Sequence, residues 1–147
     1  MEPWPLSSDL RRFGEMSDEG AWRWVPPHLV INWHARLLER FGGAPGLRDA
    51  GLLESALARP KNLVVYGDVV TTERLAALYG VGVCKAHAFL DGNKRIAFAV
   101  MVAFLKAHGR SLDATESEAT RIMLEVAASK LGEEGLERWL EEQCRLS

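Results

Sequence analysis

A chain of 147 residues, 48% hydrophobic and 26% charged, is long enough for one globular domain with a buried core. Its net charge of −2 excludes bulk attraction to nucleic acid, so any phosphate must be held by a local site. Cys84 and Cys144 make neither a disulfide framework nor a metal cluster; with no signal peptide or membrane span, the expected compartment is a reducing cytoplasm.

Residues 1–25 carry Pro3, Pro5 and scattered charges without periodicity. Met16, followed by Ser-Asp-Glu-Gly, suggests an internal start of translation. The expected division is an N-terminal extension over 1–23, partly disordered, and one domain over 24–147. Trp22, Trp24 and Trp33 are expected to staple helices and not to form a partner patch. Pro26-Pro27 opens a first helix with an apolar face of Leu29, Val30, Trp33, Leu37 and Leu38, ended by Gly42-Gly43. Asp49 is the expected N-cap of a short helix bearing Leu52, Leu53, Ala56 and Leu57, which Pro60 should stop. In residues 60–71, valines flank Tyr66-Gly67-Asp68, and the pattern predicts a small extended flap. A helix starting at Thr71 or Thr72 runs to His87 or Ala88. Gly80 and Gly82 inside it each cost about 1 kcal/mol against Ala, a loss that close helix packing usually offsets.

The ten residues Ile96 to Leu105 lack any polar side chain. They are too few for a bilayer, which needs about 20, so they mark a helix enclosed by other helices. It ends near His108 with Gly109 as cap. Thr115-Glu116-Ser117-Glu118 is a capping box for a helix carrying Ile122, Met123, Val126 and Ala127. After Gly132 and Gly135 a last amphipathic segment holds Leu136, Trp139 and Leu140. The class is all-α, packed around one buried helix, with the flap as its extended part.

The chemistry gathers where that helix begins. Asp91-Gly92-Asn93 leads into Lys94 and Arg95, and free N–H groups at a helix start, joined by two cations and Asn93, favour a phosphate. His87 can move a proton at neutral pH, and Asp91 can hold a divalent metal. Cys84 and His87 have helical spacing for a metal pair, but two ligands make no zinc site. His28, His34 and His108 fall in no pattern that lifts them above surface or core roles.

His87-Ala-Phe-Leu-Asp-Gly-Asn-Lys-Arg95 resembles the His-x-Phe-x-Asp/Glu-Gly-Asn-x-Arg signature of the Fic/Doc (Fido) superfamily. Residues 37–60, Leu-Leu-Glu-Arg-Phe-Gly-Gly-Ala-Pro-Gly-Leu-Arg-Asp-Ala-Gly-Leu-Leu-Glu-Ser-Ala-Leu-Ala-Arg-Pro, are similar to the N-terminal half of death-on-curing (Doc) proteins. The resemblance spans roughly residues 24–145 and implies the compact helical Fido fold. Fic adenylyltransferases carry Gly where this chain has Lys94, and a second Arg where it has Phe98. Doc has the Lys and lacks that Arg, and it resembles a kinase that binds ATP in a reversed orientation. Gly92 departs from Doc, which has Ala there, and agrees with Fic.

The resemblance therefore implies an ATP- and Mg²⁺-dependent kinase for a protein Ser or Thr hydroxyl, on elongation factor Tu, whose phosphorylation arrests translation. His87 would be the base and Asp91 the metal ligand. Gly92 and Asn93 would bind the nucleotide with Lys94 and Arg95, and these two cations would also stabilise the transferring group. Phe89 would anchor the loop, and the flap would hold the target by strand addition. AMP transfer is the alternative, and a catalytically idle Fido binding module a second; direct nucleic-acid binding is disfavoured. Many Fic proteins silence themselves through Ser/Thr-x-x-x-Glu-Gly/Asn; the nearest approach here, Ser129 to Glu133, is followed by Glu134. A separate Phd-like antitoxin is therefore expected, partly disordered and folding onto apolar residues of helix 26–42 or of the C-terminal segment.

Overall fold

The computed structural model describes residues 16–19, 22–67 and 70–146; of the expected extension over 1–23, residues 1–15, 20 and 21 lie outside them. The described chain runs β1 (Ser17–Glu19), β2 (Trp22–Trp24), α1 (Pro27–Phe41), α2 (Ala50–Val65), α3 (Thr72–Ala86), α4 (Asn93–Ala107), β3 (Arg110–Leu112), α5 (Glu116–Ala127), α6 (Glu133–Gln143) and β4 (Cys144–Leu146). No described helix is long and apolar enough to cross a membrane.

All of Ile96 to Leu105 is buried, as a helix apolar on every side requires. α3 is its closest neighbour and also packs on α2, α5 and α6, while α1 and α5 cover other faces of α4. Contact between α3 and α4 is close because Gly80 has no side chain: a Cβ there would sit 2.6 Å from Met101 Sδ and 3.1 Å from Leu136 Cδ2. Local capping sets the helix starts. Asp49 accepts the Leu52 N–H, Thr71 the Arg74 N–H and Thr115 the Glu118 N–H.

Two features differ from the sequence expectation. Pro60 does not stop α2, and residues 61–65 are helical, so the expected flap is not extended over this stretch; Asp68 and Val69 lie outside the described residues. An internal proline costs about 3 kcal/mol. Continuing the helix buries Pro60 itself and packs Leu63 and Val64 on the core, each apolar side chain contributing about 1.5–3 kcal/mol when fully covered. Arg59 adds a two-pronged tie to Glu133 at the start of α6, both distances 2.8 Å. With Val65 helical, this part offers no strand edge to a target.

The second difference is two small antiparallel pairs. β1 pairs with β2 (Ser17 opposite Trp24), and β3 pairs with β4 (Arg110 opposite Leu146). Met16, 3% exposed, and Trp24, 6% exposed, join the core. Trp22 and Trp24 meet Phe104 at ring distances of 6.2 Å each, so the tryptophans staple the hairpin to the buried helix. His108 ties the same corner: its Nδ1–H donates to the Phe104 carbonyl at 2.7 Å, and its bare Nε2 accepts the Arg23 N–H at 3.1 Å. Burial lowers its pKa below the ordinary 6.5.

Candidate active site

α3 ends at Ala86, and His87, its C-cap, takes the left-handed conformation (φ 48°, ψ 42°). For a residue with a Cβ that conformation costs about 1–2 kcal/mol and persists only where its surroundings demand it. The chain then turns through Ala88 to Asp91 and enters α4 at Gly92, φ 76°, where a side chain would be strained. Ala88 and Phe89 are buried, whereas His87, Leu90 and Asp91 are exposed.

Phe89 anchors the loop as expected. It stacks on His34 of α1 with ring centroids 3.8 Å apart, and His34 Nε2–H donates to the Asp91 carbonyl at 2.8 Å. Asn93 closes the turn: its Oδ1 accepts the Phe89 N–H at 3.1 Å and its Nδ2 donates to the Phe89 carbonyl at 3.0 Å. Asn93, expected on the ligand, lines the pocket at the helix start and ties both ends of its amide to the loop. Nothing local in the sequence marks His34 for this task.

No side chain caps α4, and its first internal bond is Ile96 N–H to the Gly92 carbonyl at 3.0 Å. The N–H groups of Asn93, Lys94 and Arg95 are thus left for a ligand. They border a pocket of about 220 Å³ lined by Asp91 to Arg95 and, from α5, Glu116, Thr120 and Met123. Glu116 and Thr120 also line an adjoining groove of about 970 Å³ that runs along α5 to Lys130. The α5 wall was not legible in sequence, because only packing of α5 on α4 brings it there. His87 is not among the residues lining the pocket.

Asp91 is held as a carboxylate. Gly92 N–H at 2.8 Å and Ala44 N–H at 3.3 Å donate to its two oxygens and draw its pKa below the ordinary value, and the Arg95 and Lys94 charges act in the same sense. Arg95 lies over the Phe41 ring at 4.3 Å, which fixes its guanidinium beside the helix start. Lys94 is exposed. Among the described residues no three His, Cys, Asp or Glu side chains gather as a cage. A lone ionised carboxylate beside phosphate donors suits Mg²⁺, which takes one or two carboxylates and completes its shell with phosphate oxygens and water. Cys84 is buried and its thiol raised by that burial, so it is no nucleophile.

Residues 24–105, more than half the chain, match the model of the Fic/DOC family. The chain belongs to the Fic/DOC family. Two relatives agree with that placement. "Protein kinase doc" of Escherichia phage P1 is 32% identical over 87 residues, covering 59% of this chain and 69% of the relative. "Toxin Doc" of Mycolicibacterium smegmatis (strain ATCC 700084 / mc(2)155) is 42% identical over 92 residues, with the same 59% and 69% coverage. In this Fic/DOC chain the matched segment holds the whole loop from His87 to Arg95 and the α1–α2 connection packed against it.

Proposed function

We propose that this chain is the toxin of a toxin–antitoxin pair, working in the cytoplasm as a protein kinase. It transfers the γ-phosphoryl group of ATP to a Ser or Thr hydroxyl, on elongation factor Tu, and so arrests translation. Its likeness to a Doc toxin and to a Doc protein kinase supports the toxin and kinase parts of this reading. The observation that carries the chemistry is the uncapped start of α4, open to a pocket rimmed by Asp91, Lys94 and Arg95.

In this mechanism the free N–H groups of residues 93–95 receive phosphate oxygens, and Gly92 lets the backbone approach them. Lys94 and Arg95 neutralise charge on the transferring group, the main demand of phosphoryl transfer. Asp91 would hold Mg²⁺, which would supply electrostatic stabilisation to the phosphates. His87 takes the proton of the target hydroxyl as its oxygen bonds to the γ-phosphorus. The bond from that phosphorus to the β–γ bridging oxygen breaks, and ADP leaves. Asn93 keeps the loop in shape. In this reading the pocket at the helix start would take the phosphate tail and the groove along α5 the remainder of the nucleotide. Gly92, at φ 76°, agrees with the Fic pattern where Doc carries Ala, and it keeps AMP transfer as the second reading.

The test is incubation with elongation factor Tu and ATP labelled at the α- or the γ-phosphate. γ-Label on the factor is expected, with no transfer by His87→Ala and at least about a 100-fold loss in Asp91→Asn. α-Label on the factor would replace the kinase by an adenylyltransferase. Undiminished growth arrest by His87→Ala would leave an idle binding module.

A further inference from the structure

The α1–α2 connection lies along the His87–Asp91 loop almost residue for residue. Ala44 N–H donates to the Asp91 carboxylate, and Gly46 carbonyl accepts the Leu90 N–H at 3.1 Å. Leu47 and Phe89 form an antiparallel bridge, and the Ala88 carbonyl accepts both Arg48 N–H at 2.6 Å and Asp49 N–H at 3.0 Å. At the end of this ladder Arg48 turns its guanidinium onto the His87 carbonyl. Nε donates at 3.0 Å, and Nη2 donates to the same oxygen. Asp49 then caps α2, so the ladder is rooted in a rigid helix.

Two observations make Arg48 more than one rung. His87 is one of two described residues other than glycine with positive φ, the other being Ser129. Its carbonyl, the atom whose direction that conformation sets, is the one the fork grips. A guanidinium suits this task because its planar N–H pair fixes direction as well as distance, which an ammonium cannot do. Arg48, like His87, is absent from the lining of the α4 pocket, so its guanidinium meets the loop and not the helix start.

We infer that Arg48 is a positioning residue for the reaction: by clamping the His87 carbonyl it holds that residue left-handed and sets the direction in which the imidazole leaves the backbone. The inference rests on the proposed role of His87 as base. The Gly-Leu-Arg-Asp segment at 46–49 thereby becomes the second half of the active site.

Arg48→Ala and Arg48→Lys separate this role from its rivals. With γ-labelled ATP and elongation factor Tu, Arg48→Ala is expected to lower kcat on the order of 100-fold, since small misplacements of a reacting group have effects of that size. KM for ATP should stay within about twofold, as expected when only the transition state loses support. Arg48→Lys, which keeps the charge and loses the fork, should recover no more than a tenth of the activity. Backbone ¹³C shifts of His87 should report the left-handed conformation in the wild type and its loss in both variants. A raised KM at unchanged kcat, unchanged His87 shifts, or activity lost only in step with thermal stability would each overturn the proposal. If Arg48→Ala does not fold, Arg48→Lys carries the same comparison. Failure of the wild type to transfer γ-phosphate would sink the kinase reading alone, because the His87 shifts and the growth arrest caused by each variant still decide the role of Arg48.

Discussion

Gly80 and Gly82 lie two residues apart in α3 and look alike in sequence, yet replacing each by Ala should move stability in opposite directions. In both cases Ala gains about 1 kcal/mol of helix propensity. At position 82 the new Cβ would meet the Ala56 oxygen, Cβ and Cα at 3.5, 3.6 and 3.7 Å, ordinary contact that needs no adjustment. The full gain should remain, raising Tm by about 2–4 °C for a domain of this size. At position 80 the Cβ would lie 2.6 Å from Met101 Sδ and 3.1 Å from Leu136 Cδ2. Heavy atoms attract best near 3.5–4.0 Å, so both side chains must move. Met101 and Leu136 are each 0% exposed, so any shift must be taken up inside the core. Overpacking of that kind costs about 1–3 kcal/mol, which exceeds the propensity gain and leaves Gly80→Ala about 1 kcal/mol less stable than wild type. The two variants should thus differ by about 2 kcal/mol, roughly 30-fold in the folding equilibrium. Urea unfolding followed by circular dichroism, with m unchanged, measures both. Gly80→Ala at or above wild-type stability would refute the packing argument, and Gly82→Ala below it would refute the propensity argument.

Two further outcomes are expected. His108 is bound in its neutral form, with a lowered pKa, so the unfolded chain takes up a proton that the folded chain refuses. The stability this provides is complete above about pH 6.5, and it is lost as pH falls through the folded pKa. Wild type should lose Tm faster than His108→Gln between pH 7 and 5; equal slopes would remove His108 as the cause. The product of a neighbouring gene, as a Phd-like antitoxin, should raise the Tm of this chain by an amount that grows with the logarithm of its concentration, and a constant Tm would count against such a partner. The apolar residues Leu29, Val30, Trp33 and Leu37 of α1 turn inward, and Ile31 is the large apolar side chain that helix exposes.

Residues 87–95 could be read because the motif is contiguous, and the helix it opens could be read because ten apolar residues admit few other fates. The caps at Asp49, Thr71 and Thr115 were equally legible, since a cap acts on an N–H only two or three residues away. The flap was misread for the converse reason. Pro60 stops a helix by local rules, and the burial that overrides it comes from residues elsewhere in the chain. The β3–β4 pair was unreadable: three-residue strands carry no period to detect, and the segments are more than thirty positions apart.

The amino-acid order alone settled which helix is enclosed, where most helices begin and which nine residues form the Fic/Doc-like motif, because each depends on neighbours within a turn or two. Folding in three dimensions was needed to assign the Asn93 amide to Phe89, to set the Arg48 fork on the His87 carbonyl and to give Gly80 and Gly82 opposite signs. In each of these cases the outcome turns on an ångström or less between atoms that meet only when helices pack or a loop closes.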